Sequence, residues 1–521
     1  MTGEGSALDS KPPRIFPTVV HMLADAAERW PDREALVAGN ERLSYRGYLC
    51  CVAGFAREFQ ALVIEGMRGE RVASILPNGI ETCIATFAAH AAGAQVVPLN
   101  PLYTGRELAA ILANAAPAVL LYDAARKDTV EPLARRLGIR HVLAMTAGNG
   151  ALTRWAKQDI ALPDPLADPD EIAFIQYTGG TTGRSKGVIL THRAVSTNVS
   201  QREGLLPTGR EGERILCVMP LFHTYALSMG LYLSAYCSGT LVVLPRYHPL
   251  EVLKALAEER ITIFPGSPTL FTGLMAHETF ARTDFSRIHT CYSGSAPLPE
   301  EMRRRWEQAV GAPVYEGYGQ TESGPVLTFN PVQGARKAGS VGVPVADTEI
   351  QIVDTETGTR VLPAGEKGEI RARGPQIMSG YRNLAEETSA ALREGWLYTG
   401  DIGEFDAEGY LYIRDRKKDM VIVGGYNVYP REVDEVLATH PAVQEAAAVG
   451  AADPYRGEVV RAFVVLRPGA VATPEDIVAH CAKNLARYKV PVSVAILGSL
   501  PKTSVNKTDK NVLRGLAAKR V

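Results

Sequence analysis

Thr178-Gly-Gly-Thr-Thr-Gly-Arg-Ser-Lys-Gly187 carries more information than any other ten residues of this chain. Its four glycines allow sharp turns that bring backbone N–H groups close to an anion. The threonine hydroxyls add hydrogen-bond donors, and Lys186 adds a positive charge. The segment is not a Walker A loop, because Ser185 precedes the lysine and Gly187 follows it. A flexible loop would explain the glycines but neither the hydroxyls nor the lysine, so we predict an oligophosphate-binding loop.

The residues around this loop predict an α/β fold. Ile172–Tyr177 reads as a buried strand that ends at the loop, and α/β folds place ligands at such strand ends. Further short apolar runs occur at Val72–Leu76, Ala94–Val97 and Ala118–Tyr122, and helical segments such as Glu251–Glu259 intervene. This alternation predicts mainly parallel sheets covered by helices.

The pattern changes in the last third of the chain. Thr348–Asp354 and Glu369–Arg373 resemble antiparallel or barrel strands, with Pro/Gly turns between them. After Asp415-Arg-Lys-Lys-Asp419 the pattern restarts as a compact segment of about a hundred residues, close to the size of a small domain. With 521 residues in all, two or more domains are expected.

Composition narrows the class of protein. Hydrophobic residues are 46% and charged residues 22%, as in soluble globular proteins. A net charge of −1 gives no support to nucleic-acid binding. The seven cysteines show no CxxC spacing and predict buried thiols in a reducing compartment. The N-terminus lacks the apolar core of a signal peptide, so we expect a cytoplasmic protein.

One span tests the expectation of a soluble protein. Between Arg214 and Arg246 there is no Asp, Glu, Lys or Arg, which is long enough for a membrane helix. Prolines, glycines and a histidine interrupt it. A buried strand at Ile215–Met219, a loop, a helix from about Ala226 and a strand at Leu241–Leu244 explain it better. We therefore predict no transmembrane segment, with peripheral membrane contact for lipid substrates left open.

Five more segments, in order along the chain, resemble those of the adenylate-forming enzymes: acyl-CoA synthetases, firefly luciferases and peptide-synthetase adenylation domains. Together with the loop at Thr178–Gly187 they make the resemblance cover essentially the whole chain, and fatty-acyl-CoA ligases are the most similar group. The segments are Tyr315-Glu-Gly-Tyr-Gly-Gln-Thr-Glu322, Gly395-Trp-Leu-Tyr-Thr-Gly-Asp401, Asp415-Arg-Lys-Lys-Asp419, Gly424-Gly-Tyr-Asn-Val-Tyr-Pro430 and Leu500-Pro-Lys-Thr-Ser-Val-Asn-Lys507.

The resemblance implies a fold and a reaction. The fold is a large N-terminal AMP-binding domain, residues 1–415, of helix-covered sheets and a small barrel. A small, mobile α+β domain, residues 416–521, follows and carries the catalytic lysine. The reaction is ATP-dependent formation of an acyl-adenylate from a carboxylic acid, then of an acyl-CoA thioester. ATP, Mg²⁺ and coenzyme A are the implied cofactors and co-substrates, and a homodimer is one option.

The resemblance also assigns roles to residues. Lys507 bridges the substrate carboxylate and the α-phosphate, although Asn506 replaces the usual glycine before it. Thr321 donates to the α-phosphate, Glu322 is the magnesium ligand and His223 adjoins the carboxylate. The nucleotide-binding candidates are Thr178, Gly179, Gly180, Thr181, Thr182, Gly183 and Lys186 on the loop, then Gly294, Ser295, Ala296, Gly317, Tyr318, Gly319, Asp401 and Arg416.

Some of these roles rest on simple chemistry. Tyr318 is placed to stack on adenine, with glycines on both sides that allow close approach. Asp401 follows a turn and can accept from both ribose hydroxyls, and Arg416 reaches the same ribose. For the thioester step the resemblance implies that the C-terminal domain rotates about Lys418, which would withdraw Lys507 and present Gly424, Gly425 and Tyr426 beside a pantetheine tunnel. Each of these residues also has a purely structural interpretation. Tyr318 could be a core tyrosine, Asp401 an aspartate that caps a turn, and Gly424, Gly425 and Tyr426 part of an ordinary β-turn.

The segments expected around the acyl group are Phe222–Tyr232, Phe264–Phe271 and Tyr292–Leu298, and none contains Lys, Arg, Asp or Glu. A dicarboxylate would leave its second charge buried without a partner, so a monocarboxylate with an apolar tail is favoured. We predict medium- to long-chain fatty acids. The alternatives are an aryl- or arylalkanoate-CoA ligase, an acyl-AMP ligase that loads a carrier protein, a luciferase-type oxygenase and a catalytically dead sensor.

Overall fold

A computed structural model describes residues 13–63, 66–146, 148, 150–178, 185–209, 212–424, 426–503 and 507–519. The loop candidates Gly179, Gly180, Thr181, Thr182 and Gly183, the tunnel candidate Gly425, and Asn506 lie outside these residues.

The strands within these ranges are β1 (Glu34–Ala38), β2 (Glu41–Ser44), β3 (Arg71–Ile75), β4 (Gln95–Pro98), β5 (Val119–Asp123), β6 (His141–Met145), β7 (Ile172–Thr178), β8 (Lys186–Thr191), β9 (Arg214–Cys217), β10 (Thr240–Val243), β11 (Ile263–Gly266), β12 (Thr290–Ser293), β13 (Val314–Gly319), β14 (Val326–Phe329), β15 (Val343–Pro344), β16 (Glu349–Val353), β17 (Gly368–Arg373), β18 (Gly380–Tyr381), β19 (Leu392–Arg393), β20 (Trp396–Phe405), β21 (Leu411–Arg416), β22 (Val421–Val423), β23 (Tyr426–Val428), β24 (Val443–Asp453), β25 (Gly457–Leu466) and β26 (Ser493–Ile496). The α-helices are α1 (Val19–Arg29), α2 (Tyr45–Leu62), α3 (Ile80–Ala91), α4 (Gly105–Ala115), α5 (Lys127–Arg136), α6 (His192–Leu205), α7 (Thr224–Ala226), α8 (Leu233–Tyr236), α9 (Pro249–Glu258), α10 (Pro268–Met275), α11 (Glu300–Val310), α12 (Ala385–Ala391), α13 (Pro430–Ala438), α14 (Pro474–Asn484) and α15 (Lys510–Ala518).

Two large sheets form the first part of the molecule. One has the order β15-β14-β13-β12-β11-β9-β10-β1-β2, and the other β18-β8-β7-β4-β3-β5-β6. The central strands of both pair in parallel, and antiparallel pairs occur only towards the edges. The prediction of mainly parallel sheets is therefore confirmed. The predicted strands at Val72–Leu76, Ala94–Val97 and Ala118–Tyr122 match β3, β4 and β5 within one residue at each end.

The uncharged span after Arg214 is internal to this fold. Parallel strands β9 and β10 stand at its two ends. Between them α7, a π-helical turn at Leu227–Tyr232 and α8 follow without a break. Met229, Leu231 and Tyr232 are each at most 1% exposed. The strand–helix–strand interpretation is confirmed, and no helix in the described part of the chain is long and apolar enough to cross a membrane.

A third sheet is smaller and antiparallel, with the order β16-β17-β20-β19 and with β21 paired to β20. Its first two strands match the predicted runs at Thr348–Asp354 and Glu369–Arg373. Among the described strands, no hydrogen-bonded pair joins the first strand of this sheet to the last. The expected small barrel is therefore an open sheet.

The chain then forms a separate α+β unit. A short 3-10 turn at Lys417–Asp419 follows β21, and β22 begins at Val421. The sheet β23-β22-β25-β24, with β26 beside β25, packs against α13, α14 and α15. This unit has its own apolar core, which includes Val433, Leu437 and Ile477. The order of a large unit and a small one agrees with the expected fold, while the division at residues 415 and 416 stays a prediction.

Candidate active site

The first cluster of predicted residues is centred on Asp401. Asp401 on β20 and Arg416 on β21 are direct partners across the antiparallel ladder. The distance from Asp401 Oδ1 to Arg416 Nε is 3.2 Å, and Asp401 is only 5% exposed. The other carboxylate oxygen accepts a hydrogen bond of 2.7 Å from the Tyr318 hydroxyl. Burial raises the pKa of Asp401, and Arg416 and Tyr318 oppose that rise. A carboxylate, its counter-ion and an aromatic ring are thus held together.

The glycines beside Tyr318 have a clear structural reason. A Cβ on Gly317 would lie 2.6 Å from the Phe329 ring, and one on Gly319 would lie 1.8 Å from the Pro325 carbonyl oxygen. The sequence interpretation assigned these glycines to close approach of a nucleobase. In the structure the missing side chains leave room for the neighbouring strand β14 and the turn before it to pack against these glycines. Tyr318 itself is partly buried, and its bond to Asp401 was not anticipated.

Glu322 lies on a 3-10 turn, Thr321–Ser323, that follows β13. The Ser323 hydroxyl accepts a 3.0 Å hydrogen bond from the Gln320 N–H, which fixes the turn. Glu322 Oε1 accepts a 2.9 Å hydrogen bond from the Tyr381 hydroxyl. Burial raises the pKa of Glu322. Tyr381 was not among the predicted site residues.

Glu322 fits a magnesium ion that arrives with a nucleotide. In the described part of the chain no group of three or more His, Cys, Asp or Glu side chains could hold a metal ion. Mg²⁺ commonly binds through one or two carboxylates and completes its coordination with substrate phosphates and water. Glu322 also has a raised pKa, which is the behaviour of a buried carboxylate that lacks a close cation. The donor set therefore suits nucleotide-bound Mg²⁺ and not an all-protein metal cage.

The two ends of the predicted phosphate loop face each other. Thr178 is the last residue of β7, Lys186 is the first residue of β8, and the two are paired across this antiparallel hairpin. The Lys186 ammonium lies 5.0 Å from the centroid of the Tyr381 ring. Because Tyr381 also bonds Glu322, the loop lysine and the magnesium candidate belong to one group of contacts.

Lys507 belongs to the small C-terminal unit, yet its side chain lies near Asp401 and Arg416. Its N–H donates to Thr503 Oγ1 at 3.2 Å, and its carbonyl accepts from the Thr503 N–H at 2.7 Å. Burial and repulsion from Arg416 lower the pKa of Lys507 to about 8, although Asp401 acts in the opposite direction. This ammonium is therefore close to the point where it loses its proton in neutral to mildly alkaline solution.

His223 lies in the same electrostatic environment. Its Nδ1 accepts a 3.2 Å hydrogen bond from the Tyr225 N–H at the start of α7. Burial, and then the charge of Lys507, lower the pKa of His223 to about 4. The imidazole is therefore neutral at pH 7. The structure brings this residue of the large unit together with a lysine of the small one.

The segments predicted to surround the acyl group meet beside β12. Gly294, Ser295 and Ala296 follow this strand directly, and Ser295 has a φ of +70°. A Cβ on Gly294 would lie 2.8 Å from the Tyr225 ring, so that ring rests on the glycine. The Tyr225 hydroxyl and the Ser228 and Ser293 hydroxyls are buried and have no hydrogen-bond partner among the described residues. These three side chains are uncharged, and the buried guanidinium of Arg202, which pairs with Glu203, donates a 2.6 Å hydrogen bond to the neighbouring Tyr292 hydroxyl.

Gly424 and Tyr426, two of the residues predicted for the thiol step, lie on or beside β23 of the small unit. Gly424 has a φ of +57°, and Tyr426 is 61% exposed and stacks on Tyr488 at 4.8 Å. In the described residues no hydrogen bond, ion pair or ring contact joins Tyr426 to Asp401. Lys418 lies in the turn between the two units, and burial lowers its pKa.

Comparison with known proteins identifies relatives over nearly the whole chain. A family model described as AMP-binding enzyme matches residues 23–382, and one described as AMP-binding enzyme C-terminal domain matches residues 432–507. A long-chain-fatty-acid–CoA ligase of Bacillus subtilis is 39% identical over 94% of this chain and 93% of the relative.

Solved structures agree with these matches. In the crystal structure of ATP-bound MatB from Rhodopseudomonas palustris, the protein is 30% identical in sequence to this chain. The TM-score is 0.88, and the match covers 95% of this chain and 98% of that one. The anthranilate CoA ligase AuaEII in complex with anthranoyl-AMP is 26% identical, with a TM-score of 0.88 over 98% of both chains.

Proposed function

The chain belongs to the AMP-binding enzyme family, and we propose that it is an AMP-forming acyl-CoA ligase that acts on medium- to long-chain fatty acids. The observation that carries this proposal is the meeting of Lys507 with Asp401, Arg416 and His223 at one place in the fold. The similarity to a long-chain-fatty-acid–CoA ligase supports it. ATP and coenzyme A are the co-substrates of such a reaction.

The chemistry requires this set of charges. A carboxylate is a poor acyl donor because oxide is a poor leaving group. In the first step its oxygen bonds to the α-phosphorus of ATP, and the bond from that phosphorus to the bridging oxygen breaks, which releases pyrophosphate. Two anions must approach each other, so the protein contributes positioning and positive charge. Lys507 supplies that charge between the carboxylate and the α-phosphate.

The other predicted residues divide the work of binding. Asp401 and Arg416 hold the ribose, Tyr318 and the Gly294–Ala296 segment enclose the adenine, and Thr321 donates to the α-phosphate. The loop from Thr178 to Lys186 covers the β- and γ-phosphates. Glu322 binds Mg²⁺, which when bound neutralises phosphate charge.

In the second step the thiol of coenzyme A releases its proton to solvent, its sulfur bonds to the acyl carbon, and the bond from that carbon to the AMP oxygen breaks, so that AMP leaves. Lys507 occupies the site in the present arrangement, so the small unit must turn about the Lys417–Asp419 segment to admit the thiol. We assign the 1–415 and 416–521 division to this movement, and Gly424, Gly425 and Tyr426 to the thiol channel.

The uncharged acyl lining supports a monocarboxylate substrate. The second carboxylate of malonate would be buried beside Tyr225, Ser228 and Ser293, where the nearby cation Arg202 already pairs with Glu203, so its burial would cost several kcal/mol. The position of the Tyr225 ring on Gly294 favours one second candidate, an aryl- or arylalkanoate-CoA ligase, because an aromatic acid could stack on that ring. AuaEII, an anthranilate CoA ligase, shares the fold.

We also propose a cytoplasmic enzyme with peripheral membrane contact when it collects lipid substrates, and a homodimer is the assembly to test. The seven cysteines are all free thiols, which supports a reducing compartment.

Pyrophosphate release tests the substrate class. The assay compares octanoate, palmitate, phenylacetate, benzoate and malonate, each with ATP, Mg²⁺ and coenzyme A. The proposal expects the highest kcat/KM for octanoate or palmitate. A preference for benzoate or phenylacetate would establish the aryl alternative, and a preference for malonate would contradict the uncharged pocket.

A further inference from the structure

Tyr381 stands between two residues of opposite charge. The Lys186 ammonium lies over one part of this side chain, 5.0 Å from the ring centroid. The hydroxyl at its other end donates to Glu322 Oε1 at 2.9 Å. One neutral side chain therefore contacts both the phosphate-loop lysine and the magnesium candidate. Among the described residues, neither Lys186 nor Glu322 has an ion-pair partner within 4.0 Å.

The backbone around Tyr381 fixes it in this place. Tyr381 pairs with Val188 on β8, which is the strand that leaves the phosphate loop. The Arg382 N–H donates to the Gly187 carbonyl at 2.8 Å, and the Met378 N–H donates to the Glu322 carbonyl at 2.9 Å. The segment 378–382 is thus bonded at one end to the turn that carries Glu322 and at the other to the loop exit.

The backbone of Tyr381 is also held from the far side. Its N–H donates to Thr388 Oγ1 at 2.9 Å, and the same hydroxyl donates to the Leu384 carbonyl at 2.8 Å. Gly380 has a φ of +144°, and a Cβ there would lie 2.7 Å from Thr388 Cγ2. The backbone that carries the ring is therefore held on both sides.

The position of the Tyr381 side chain matters because it prevents a direct ion pair between Lys186 and Glu322. A lysine and a glutamate in a half-buried site attract each other strongly, and a direct pair would have to break before the lysine could bind a phosphate and the glutamate a metal ion. The aromatic face stabilises the ammonium by a cation–π contact, and the hydroxyl satisfies one carboxylate oxygen and leaves the other available. The 2.9 Å hydrogen bond to Glu322 Oε1 has the Tyr381 hydroxyl as its donor.

We propose that Tyr381 is a positioning residue for nucleotide binding: it keeps Lys186 and Glu322 apart, so that each is ready for its part of Mg²⁺-bound ATP. The inference rests on the proposed function for the identity of the ligand. Its test measures nucleotide binding alone and needs no acyl substrate. A wrong acyl specificity or an absent thioester step would leave the result unchanged.

The experiment is a double-mutant cycle on Tyr381 and Glu322. The quantity measured is the affinity for ATP without metal, determined by calorimetry in a buffer that contains EDTA. Tyr381→Leu removes ring and hydroxyl together, and Lys186 is then free to pair with Glu322. We expect ATP binding to weaken by roughly tenfold in the Glu322 background and by at most about twofold in the Glu322→Gln background. An equal loss in both backgrounds would overturn the proposal, because it would mean that the ring acts only by packing.

Tyr381→Phe provides a second test that preserves the volume of the side chain. It keeps the contact with Lys186 and removes only the bond to Glu322. Metal-free ATP binding should stay within about twofold of the wild type, while the gain in affinity on adding Mg²⁺ should shrink by roughly fivefold. An unchanged gain from Mg²⁺ would overturn the assignment of the hydroxyl. Thermal unfolding of each variant identifies any that has lost its fold.

Discussion

Asp401 and Arg416 are paired residues on neighbouring antiparallel strands, and their side chains form an ion pair 3.2 Å long in which Asp401 is buried and Arg416 is half exposed. Arg416 is the last residue of β21, immediately before the turn that leads into the small C-terminal unit. The residue proposed to hold the ribose is therefore next to the segment proposed to rotate. The same ion pair therefore belongs to the proposed nucleotide site and adjoins the turn about which the small unit is proposed to rotate.

Asp401→Asn should weaken binding of ATP and AMP by about 10- to 100-fold, the range for loss of a hydrogen bond to a charged group. The asparagine keeps one acceptor oxygen but loses the second one and the negative charge that pairs with Arg416. Calorimetry with ATP and with 2′-deoxy-ATP measures the effect. In the wild type, removal of the ribose hydroxyl should reduce affinity, and in the variant it should matter much less. Equal penalties in both proteins would contradict the ribose contact.

Lys507→Ala should slow adenylation by about 100- to 1,000-fold, as expected when one charge that stabilises the transition state is lost. The thioester step from supplied acyl-adenylate should be largely spared, because the α-phosphate is not attacked there. Single-turnover measurements separate the two steps, and Lys507→Arg is the control that keeps the charge. Equal losses in both steps would refute this division of labour.

The pH dependence should report the same lysine. The pKa of Lys507 is lowered to about 8, so raising the pH through 8 removes the ammonium charge. The kcat/KM for adenylation should therefore fall on the alkaline side of pH 8, since this parameter reports the free enzyme. In kcat the fall should begin at higher pH, because bound ATP stabilises the charged form. In Lys507→Arg the alkaline fall should disappear, and its persistence would assign it to another group.

Lys418→Pro should preserve adenylation and block the thioester step. Lys418 lies in a 3-10 turn, where φ is about −50 to −70°, and proline fixes φ near −65°. Proline is therefore compatible with the φ of such a turn and removes the φ freedom that a rotation at Lys418 would need. Lys418→Ala is the matched control, since it removes the charge and keeps the rotation. A thioester step equally fast in both variants would place the hinge elsewhere.

Local patterns in the sequence were sufficient to predict much of the fold. Apolar runs bounded by proline or polar residues gave β3, β4, β5 and β7 almost residue by residue, because buried parallel strands have few alternatives. The uncharged span after Arg214 was interpreted correctly because prolines and glycines divide it into segments too short to cross a membrane. The π-helical turn at Leu227–Tyr232 carries no comparable signal, since its composition is that of any buried helix.

The site was predicted only where a motif named its residues. Tyr381 lies about two hundred residues from Lys186 and about sixty from Glu322 along the chain. Only the pairing of β18 with β8 brings it to them, and spacing cannot reveal such a contact. The Tyr318–Asp401 bond was missed for the same reason. The roles of the motif residues remain predictions until binding and kinetics test them.

The most direct test of the central claim is the product balance of a single reaction with ATP, Mg²⁺, coenzyme A and palmitate or octanoate, separated by chromatography. The account predicts acyl-CoA, AMP and pyrophosphate in equal amounts, with no pyrophosphate when the carboxylic acid is omitted. With coenzyme A omitted, a stoichiometric amount of acyl-adenylate should remain on the enzyme. Formation of ADP and phosphate, or the absence of any acid-dependent pyrophosphate, would contradict it.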